Sequence, residues 1–275
     1  MRAGEARRRL DLLLVERGFA PTREKARALV MAGAVRCGGV RVEKAGALLP
    51  ADAPLEVAGP PHPYVSRGGV KLAHALEAFG IAVAGRVCLD LGASTGGFTD
   101  CLLQAGAASV IAVDVGAGLL DARLRADPRV HLLERTNVRH LRPADLPAVP
   151  SLATADLAFI SLTLVLPVLW PLLASPREVV ALVKPQFEVG RGQVGKGGVV
   201  REPEKHRTAV RRVAAAAVAA GFTVRGLTAS PLLGPKGNRE FLLHLAEAGK
   251  ALDVDAALEA VIPPQLARVR RGGSP

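Results

Sequence analysis

The chain has 275 residues, enough for one medium-sized domain and a small one, and nearly half of them are apolar, which argues for a buried core and against bulk disorder. Its formal net charge of +11 points to an anionic polymer or surface as partner. Three cysteines, Cys37, Cys88 and Cys101, form no CxxC pair, which speaks against a disulfide framework or zinc site and for a reducing, cytoplasmic compartment.

The charge is uneven. Residues 1–45 hold eleven Lys and Arg against five acids, more than half of the chain's excess in about a sixth of its length. The basic start MRAGEARRRLDLLL has an apolar run too short, and too soon broken by Glu16 and Arg17, for a signal peptide. Leu10, Leu13 and Leu14 share one helical face, and Gly18 ends that helix. Thr22 offers an N-cap for a second helix, closed by Gly33, with Arg23, Lys25 and Arg27 in its first turns. Short strands are expected at Ala34–Val35 and Val40–Val42, turned by Gly38-Gly39. This order of two helices and a hairpin, with the second helix basic at its start, resembles the S4-type RNA-binding domain. That resemblance implies a small α+β domain over 1–58, with Arg9, Arg23, Lys25 and Arg27, and Arg67 just beyond, as RNA-binding residues.

Prolines in GPPHPYVSRGG, Gly59 to Gly69, disfavour helix and predict a linker over 59–69. From Arg86 onward strands and helices alternate. Strands are expected at Val87–Leu91, Val110–Val113, Val130–Leu133, Leu157–Ile160, Val179–Val183, Thr223–Leu227 and Glu240–Leu245. One helix is expected over Glu204–Ala220, with Pro203 in its first turn. The run Leu162–Leu173 is too short to span a membrane and reads as buried core. Such alternation predicts an open α/β sheet over 70–264 with ligands at the C-terminal strand ends. The basic tail 265–275 ends in GGSP and is expected to fray.

Within VCLDLGASTGGFTDCLLQAGA, an apolar strand runs through Asp90 into a glycine-rich turn and then a helix. Gly92, Gly96 and Gly97 let backbone approach a ligand closely, with Ser94, Thr95 and Phe98 beside them. The spacing is neither the dinucleotide fingerprint nor the triphosphate loop. A ligand with an amino-acid end and an adenosine end suits it. Asp114, at the end of the next strand, is placed for ribose hydroxyls. A second glycine-rich stretch, GRGQVGKG at 190–197, imitates a phosphate loop up to Lys196. Gly197 stands where that loop needs Ser or Thr, so the stretch reads as a loop near the active site. Lys71, Asp156, Lys184 and Glu240 lie just past the linker or at strand ends, where they can converge on one sheet edge.

The segments SRGGVKL, LDLGASTGGF, VDVG, ERTNVR, ADLAFISL, LVKPQFEVG and GPKGN-x-E resemble the TlyA family. Its members are ribosomal RNA cytidine 2′-O-methyltransferases, historically labelled haemolysins, with an FtsJ-like catalytic domain. The resemblance covers essentially the whole chain. It implies a Rossmann-like methyltransferase fold with a seven-stranded, mostly parallel sheet. It implies S-adenosylmethionine as cofactor, held by Asp90, Gly92–Phe98, Asp114 and Asn137. It implies a catalytic set of Lys71, Asp156, Lys184 and Glu240, with Lys184 as general base. For that role the Lys184 pKa must fall, through desolvation and through the nearby positive charges of Lys71 and the sulfonium. Asp156 would then orient Lys184, while Lys71 and Glu240 hold the ribose. The implied partners are ribosomal RNA and ribosomal subunits, acted on by a monomer without metal or membrane. One departure stands out: the family carries Trp before Val-Ser-Arg, and this chain has Tyr64. The other readings are a membrane-acting cytolysin, which lacks a signal or span here, and a non-catalytic RNA-binding protein, against which the intact motifs weigh.

Overall fold

The computed structural model describes residues 7–20, 22–31, 33–57, 62–190 and 192–262. The chain divides into two units, Met1–Pro63 and Tyr64–Pro275. The expected tail 265–275 lies outside the described residues, as do residues 59–61 of the expected linker.

In the first unit, β1 (Arg7–Arg9) leads directly into α1 (Leu10–Glu16), and α2 spans Arg23–Met31. Thr22 Oγ1 accepts from the Lys25 amide at 3.2 Å, as an N-cap does. Four more strands follow: β2 (Val35–Cys37), β3 (Val40–Arg41), β4 (Leu48–Pro50) and β5 (Leu55–Val57). They form a β3-β2-β5 sheet and a separate β1-β4 pair. Leu10, Leu13, Leu14, Ala26, Val30 and Val35 build the core. The helices and hairpin are those expected. β1, β4 and β5 are additional, and each is only three residues long. Arg7–Arg9 has no apolar alternation, so its pairing with Leu48–Pro50 is dictated by tertiary context.

The second unit begins with α3 (Gly68–Phe79) and continues as β6 (Val87–Leu91), α4 (Gly97–Gln104), β7 (Ser109–Val113), α5 (Ala122–Arg125) and β8 (Val130–Leu133). Then come β9 (Leu152–Ala155), α6 (Leu166–Leu172), β10 (Glu178–Val183), α7 (Pro185–Glu188), α8 (Pro203–Ala219), β11 (Thr223–Ala229), β12 (Phe241–Ala246) and α9 (Val254–Val261). Seven strands form one sheet in the order β11-β12-β10-β9-β6-β7-β8. β12 runs antiparallel to both neighbours, and the pairs from β10 through β8 are parallel. Period-two alternation sorts the strand side chains between two cores. Leu89 and Leu91 face the layer that includes Leu166, Leu169, Val210 and Val213, and Cys88 faces the layer of Leu72 and Leu102.

One strand differs from expectation. The fourth lies at Leu152–Ala155, not at Leu157–Ile160, so Asp156 follows the strand instead of preceding it. Leu152, Ala153, Thr154 and Ala155 are all buried between two layers, where small side chains fit and no alternation shows. The more apolar Leu-Ala-Phe-Ile that follows is loop, and Phe159 is 93 % exposed. Hydropathy alone thus favours the wrong side of Asp156. Residues 64–69 of the expected linker lie within this unit. The Val65 amide donates to Asp100 Oδ2 at 2.8 Å, and the Tyr64 ring packs over Gly69, where a Cβ would clash.

Candidate active site

From β6 the chain steps outward to β7 and β8, then crosses to β9 on the other side. The C-terminal ends of β6 and β9 therefore border the crevice in which such sheets bind ligands. Gly92, just past β6, has φ +83°, and a Cβ there would stand 2.5 Å from the Asp156 carbonyl oxygen. Any other residue would push the turn after β6 away from the chain leaving β9. Asp114, past β7, fixes the same turn: Oδ2 accepts from the Ser94 amide at 2.8 Å and Oδ1 from the Gly116 amide at 2.7 Å. Each oxygen keeps a lone pair for a further donor.

Two cavities open at this edge and share Gly92, Ser94 and Asp156. The larger, about 670 Å³, is lined by Asp114 and Asn137 and by Val115, Leu119, Phe159 and Leu164. The last four are exposed apolar side chains. Polar groups for hydroxyls beside uncovered apolar surface suit a nucleoside. Asn137 also caps the turn after it, accepting from the Arg139 amide at 3.1 Å.

The smaller cavity, about 250 Å³, is lined by Lys71, Asp156, Lys184 and Glu240, together with Gly92, Ser94, Thr95, Gly97 and Phe98 of the turn. Four elements deliver the four charged groups. Lys71 comes from α3, Asp156 from the end of β9, Lys184 from the start of α7 and Glu240 from just before β12. They pair as Lys184 Nζ with Asp156 Oδ1 and Lys71 Nζ with Glu240 Oε2, both at 2.5 Å. Glu240 is buried, and its Oε1 has no partner among the described residues. Ser66, Arg67, Gly68 and Ala93 complete the wall. Gly97 matters here because a Cβ on it would collide with Ser66 Oγ.

Of the cofactor residues read from the sequence, two line neither cavity: Gly96, at the start of α4, and Asp90. Asp90 is fully buried beneath the turn, accepting from Thr99 Oγ1 at 2.6 Å and Thr154 Oγ1 at 2.9 Å. Burial pushes its carboxyl up to about 6, against the pull of those two hydroxyls. An ordinary value near 3.8 means the unfolded chain ionises first. The favourable contribution of the protonated group is therefore present below that value and lost as pH rises through about 6. A rise of that size corresponds to about 3 kcal/mol. Asp90→Asn is expected to raise the thermal unfolding midpoint clearly at pH 8 and little at pH 4. Equal shifts at both pH values would contradict a buried carboxylate.

The basic residues expected to meet RNA fall into two groups. Arg67 sits on the rim of the smaller cavity in the second unit. In the first unit, Arg9, Arg23 and Arg27 converge on the buried Asp11, and Lys25 is exposed on α2. Arg9 grips both Asp11 oxygens at 3.0 Å, and Arg23 and Arg27 reach Oδ2 at 3.1 and 3.3 Å. The hydrogen bond from Arg9, with those from the other two, holds the Asp11 carboxyl far below the usual range despite its burial. Asp11 escaped sequence reasoning, although an acid inside the run Leu-Asp-Leu-Leu-Leu is a visible signal. Phe159 and Phe187, whose rings meet at 5.2 Å, were also missed, having no motif around them. The glycine-rich stretch 190–197 is tied down just beyond its end. Asn238 Nδ2 donates to the Gly198 carbonyl and its Oδ1 accepts from the Val200 amide, both at 3.0 Å.

The seven-stranded sheet with this order, its glycine turn and the two adjoining cavities fit a methyltransferase. The FtsJ-like methyltransferase family model matches residues 64–247, and the S4 domain model matches residues 8–53. The Bacillus subtilis protein YqxC, described as an rRNA methyltransferase, is 51 % identical over 88 % of this chain and 86 % of its own. The Mycobacterium tuberculosis 16S/23S rRNA (cytidine-2′-O)-methyltransferase TlyA is 49 % identical over 93 % and 96 %. A solved structure from Streptococcus thermophilus, described as a hemolysin, is 44 % identical with a TM-score of 0.75, covering 94 % of this chain and 95 % of that one. The chain belongs to the TlyA family of FtsJ-like methyltransferases. Among the described residues no helix is long and apolar enough to cross a membrane.

Proposed function

We propose that this chain transfers a methyl group from S-adenosylmethionine to the ribose 2′-hydroxyl of a cytidine in ribosomal RNA. One observation carries the reading: two lysine–carboxylate pairs face one cavity that adjoins a nucleoside-shaped one across the glycine turn. Asp114 and Asn137 would bind the ribose and adenine end of the cofactor, and the backbone of Gly92–Phe98 its amino-acid end. Bound there, S-adenosylmethionine supplies an electrophilic methyl group. Lys184, once it has released to solvent the proton of its ion pair with Asp156, accepts the proton of the 2′-hydroxyl as that oxygen is methylated. Asp156, already in contact with Lys184, orients the amine and balances the ammonium that forms. Lys71 and Glu240 fix the acceptor ribose in line with the methyl group, and positioning supplies much of the acceleration. Arg9, Arg23, Lys25 and Arg27 supply phosphate contacts. A cytoplasmic monomer working on 16S or 23S rRNA within ribosomal subunits is the setting that fits.

The test is transfer of labelled methyl from S-adenosylmethionine to isolated small and large subunits, followed by digestion to nucleosides. Label is expected in 2′-O-methylcytidine. Label on a base, or none on either subunit, would overturn the proposal.

A further inference from the structure

Two segments leave the sheet side by side. β9 and β10 are parallel neighbours, with Ala155 opposite Ala181. Beyond β9 runs the loop from Asp156 to Leu162, and beyond β10 runs Lys184 with α7. Three contacts join the two segments in order. The first is the Lys184–Asp156 ion pair at 2.5 Å. The second is the pair of rings of Phe159 and Phe187. The third is Glu188, at the end of α7. Its Oε2 accepts from Ser161 Oγ at 2.5 Å and its Oε1 from the Leu162 amide at 2.8 Å.

Glu188 is 1 % exposed. Burying a carboxylate is costly unless hydrogen bonds replace its water. Burial pushes the Glu188 carboxyl up, and the Ser161 and Leu162 donors oppose that. Both side-chain hydrogen bonds of Glu188 go to the far end of the loop that Asp156 begins. The near end is fixed by the Asp156 amide, which donates to the Leu91 carbonyl at 3.0 Å. Between these two ends Phe159 adopts φ +63°, a conformation that a side chain of this size holds only when its surroundings impose it. α7 is held in turn from behind, where Arg212 Nη1 donates to the Glu188 carbonyl at 2.9 Å. The loop can therefore shift against Lys184 only if the Glu188 contacts break.

We infer that Glu188 is a positioning residue for methyl transfer, its carboxylate setting the place at which Asp156 holds Lys184. This rests on the methyltransferase reading above. Glu188 touches neither ligand cavity and acts through the loop. A displacement of about 1 Å at such a distance from the chemistry lowers rates by about 100-fold.

The experiment measures single-turnover methylation and KM for both substrates in the full chain. Glu188→Gln keeps the size but sets an amide NH₂ against one of two donors. It is expected to lower the single-turnover rate about 10- to 100-fold with both KM values within about threefold. Ser161→Ala removes one contact and leaves the carboxylate and the Leu162 amide, so a smaller loss of the same kind is expected, and it guards against a Glu188 variant that fails to fold. Unchanged rates in both folded variants would overturn the inference. So would a loss confined to KM for the cofactor, since Glu188 would then act only on the wall that the loop gives the larger cavity. An inactive wild-type chain sinks the methyltransferase reading itself, whereas an active wild type with unaffected variants sinks the positioning role alone.

Discussion

Lys184→Ala is expected to lower methyl transfer by about a thousandfold, within the range a general base contributes, while cofactor affinity stays within a few-fold. The two lysines of the smaller cavity separate because their partners differ in burial. Asp156, which pairs with Lys184, keeps partial exposure at the cavity, so losing its partner leaves a carboxylate that water can reach. Glu240, which pairs with Lys71, is buried, and one of its oxygens already lacks a partner among the described residues. Lys71→Ala would leave an uncompensated buried charge, which costs about 3–5 kcal/mol. The Lys184 variant should therefore be folded, cofactor-competent and inactive, and the Lys71 variant should melt at clearly lower temperature. Single-turnover methylation, cofactor titration and thermal melts read the three quantities separately. A Lys184 variant of wild-type activity would end the assignment of that residue as base. A Lys71 variant as stable as wild type would show that the Glu240 carboxylate is not held by this pair.

Most of this architecture is legible in the sequence because its signals are local. β6 and its glycine turn announce themselves in Val87–Phe98, since a buried parallel strand is a continuous apolar run and the turn needs residues without a Cβ. Pro203 and the spacing after it mark α8. Asp156, Lys184 and Glu240 are legible as strand-end charges and Lys71 as a charge just past the linker, all able to converge on one sheet edge, but their role as a catalytic set comes from family resemblance. No spacing rule pairs residues 71 and 240. What stayed hidden depends on partners distant in the chain. β9 is poor in large apolar residues because both its faces are crowded, so Leu152–Ala155 yielded to the showier segment after it. Asp90 was read as a ligand residue because it sits in the motif, but its orientation follows strand alternation: Leu89 and Leu91 face one layer and Asp90 the other, toward Thr99. Glu188 is one glutamate among many until the loop from Asp156 closes on it.

Asp11 sets up an expectation opposite to simple charge counting. Replacing it with alanine makes the first unit more basic by one charge, so attraction to RNA alone would tighten binding. The geometry predicts weaker binding. Arg9, Arg23 and Arg27 are held together only because the Asp11 carboxylate accepts from all three. Without it, three guanidiniums repel one another and spread, and α1 loses its anchors to β1 and α2. Removing one partner of a buried charge cluster costs about 3–5 kcal/mol, and the half-exposed arginines place this case near the lower end. About 3 kcal/mol is much of the stability that a core as small as Leu10, Leu13, Leu14, Ala26, Val30 and Val35 supplies. Limited proteolysis of full-length Asp11→Ala should cut within the first unit under conditions where the wild type resists. Its RNA affinity should fall at every salt concentration, and the slope of log affinity against log salt should become shallower by one or more phosphate contacts. Asp11→Asn retains one acceptor oxygen and should lie between the two. Tighter RNA binding by the alanine variant would show that the arginines act as loose charges, and that Asp11 merely subtracts from them.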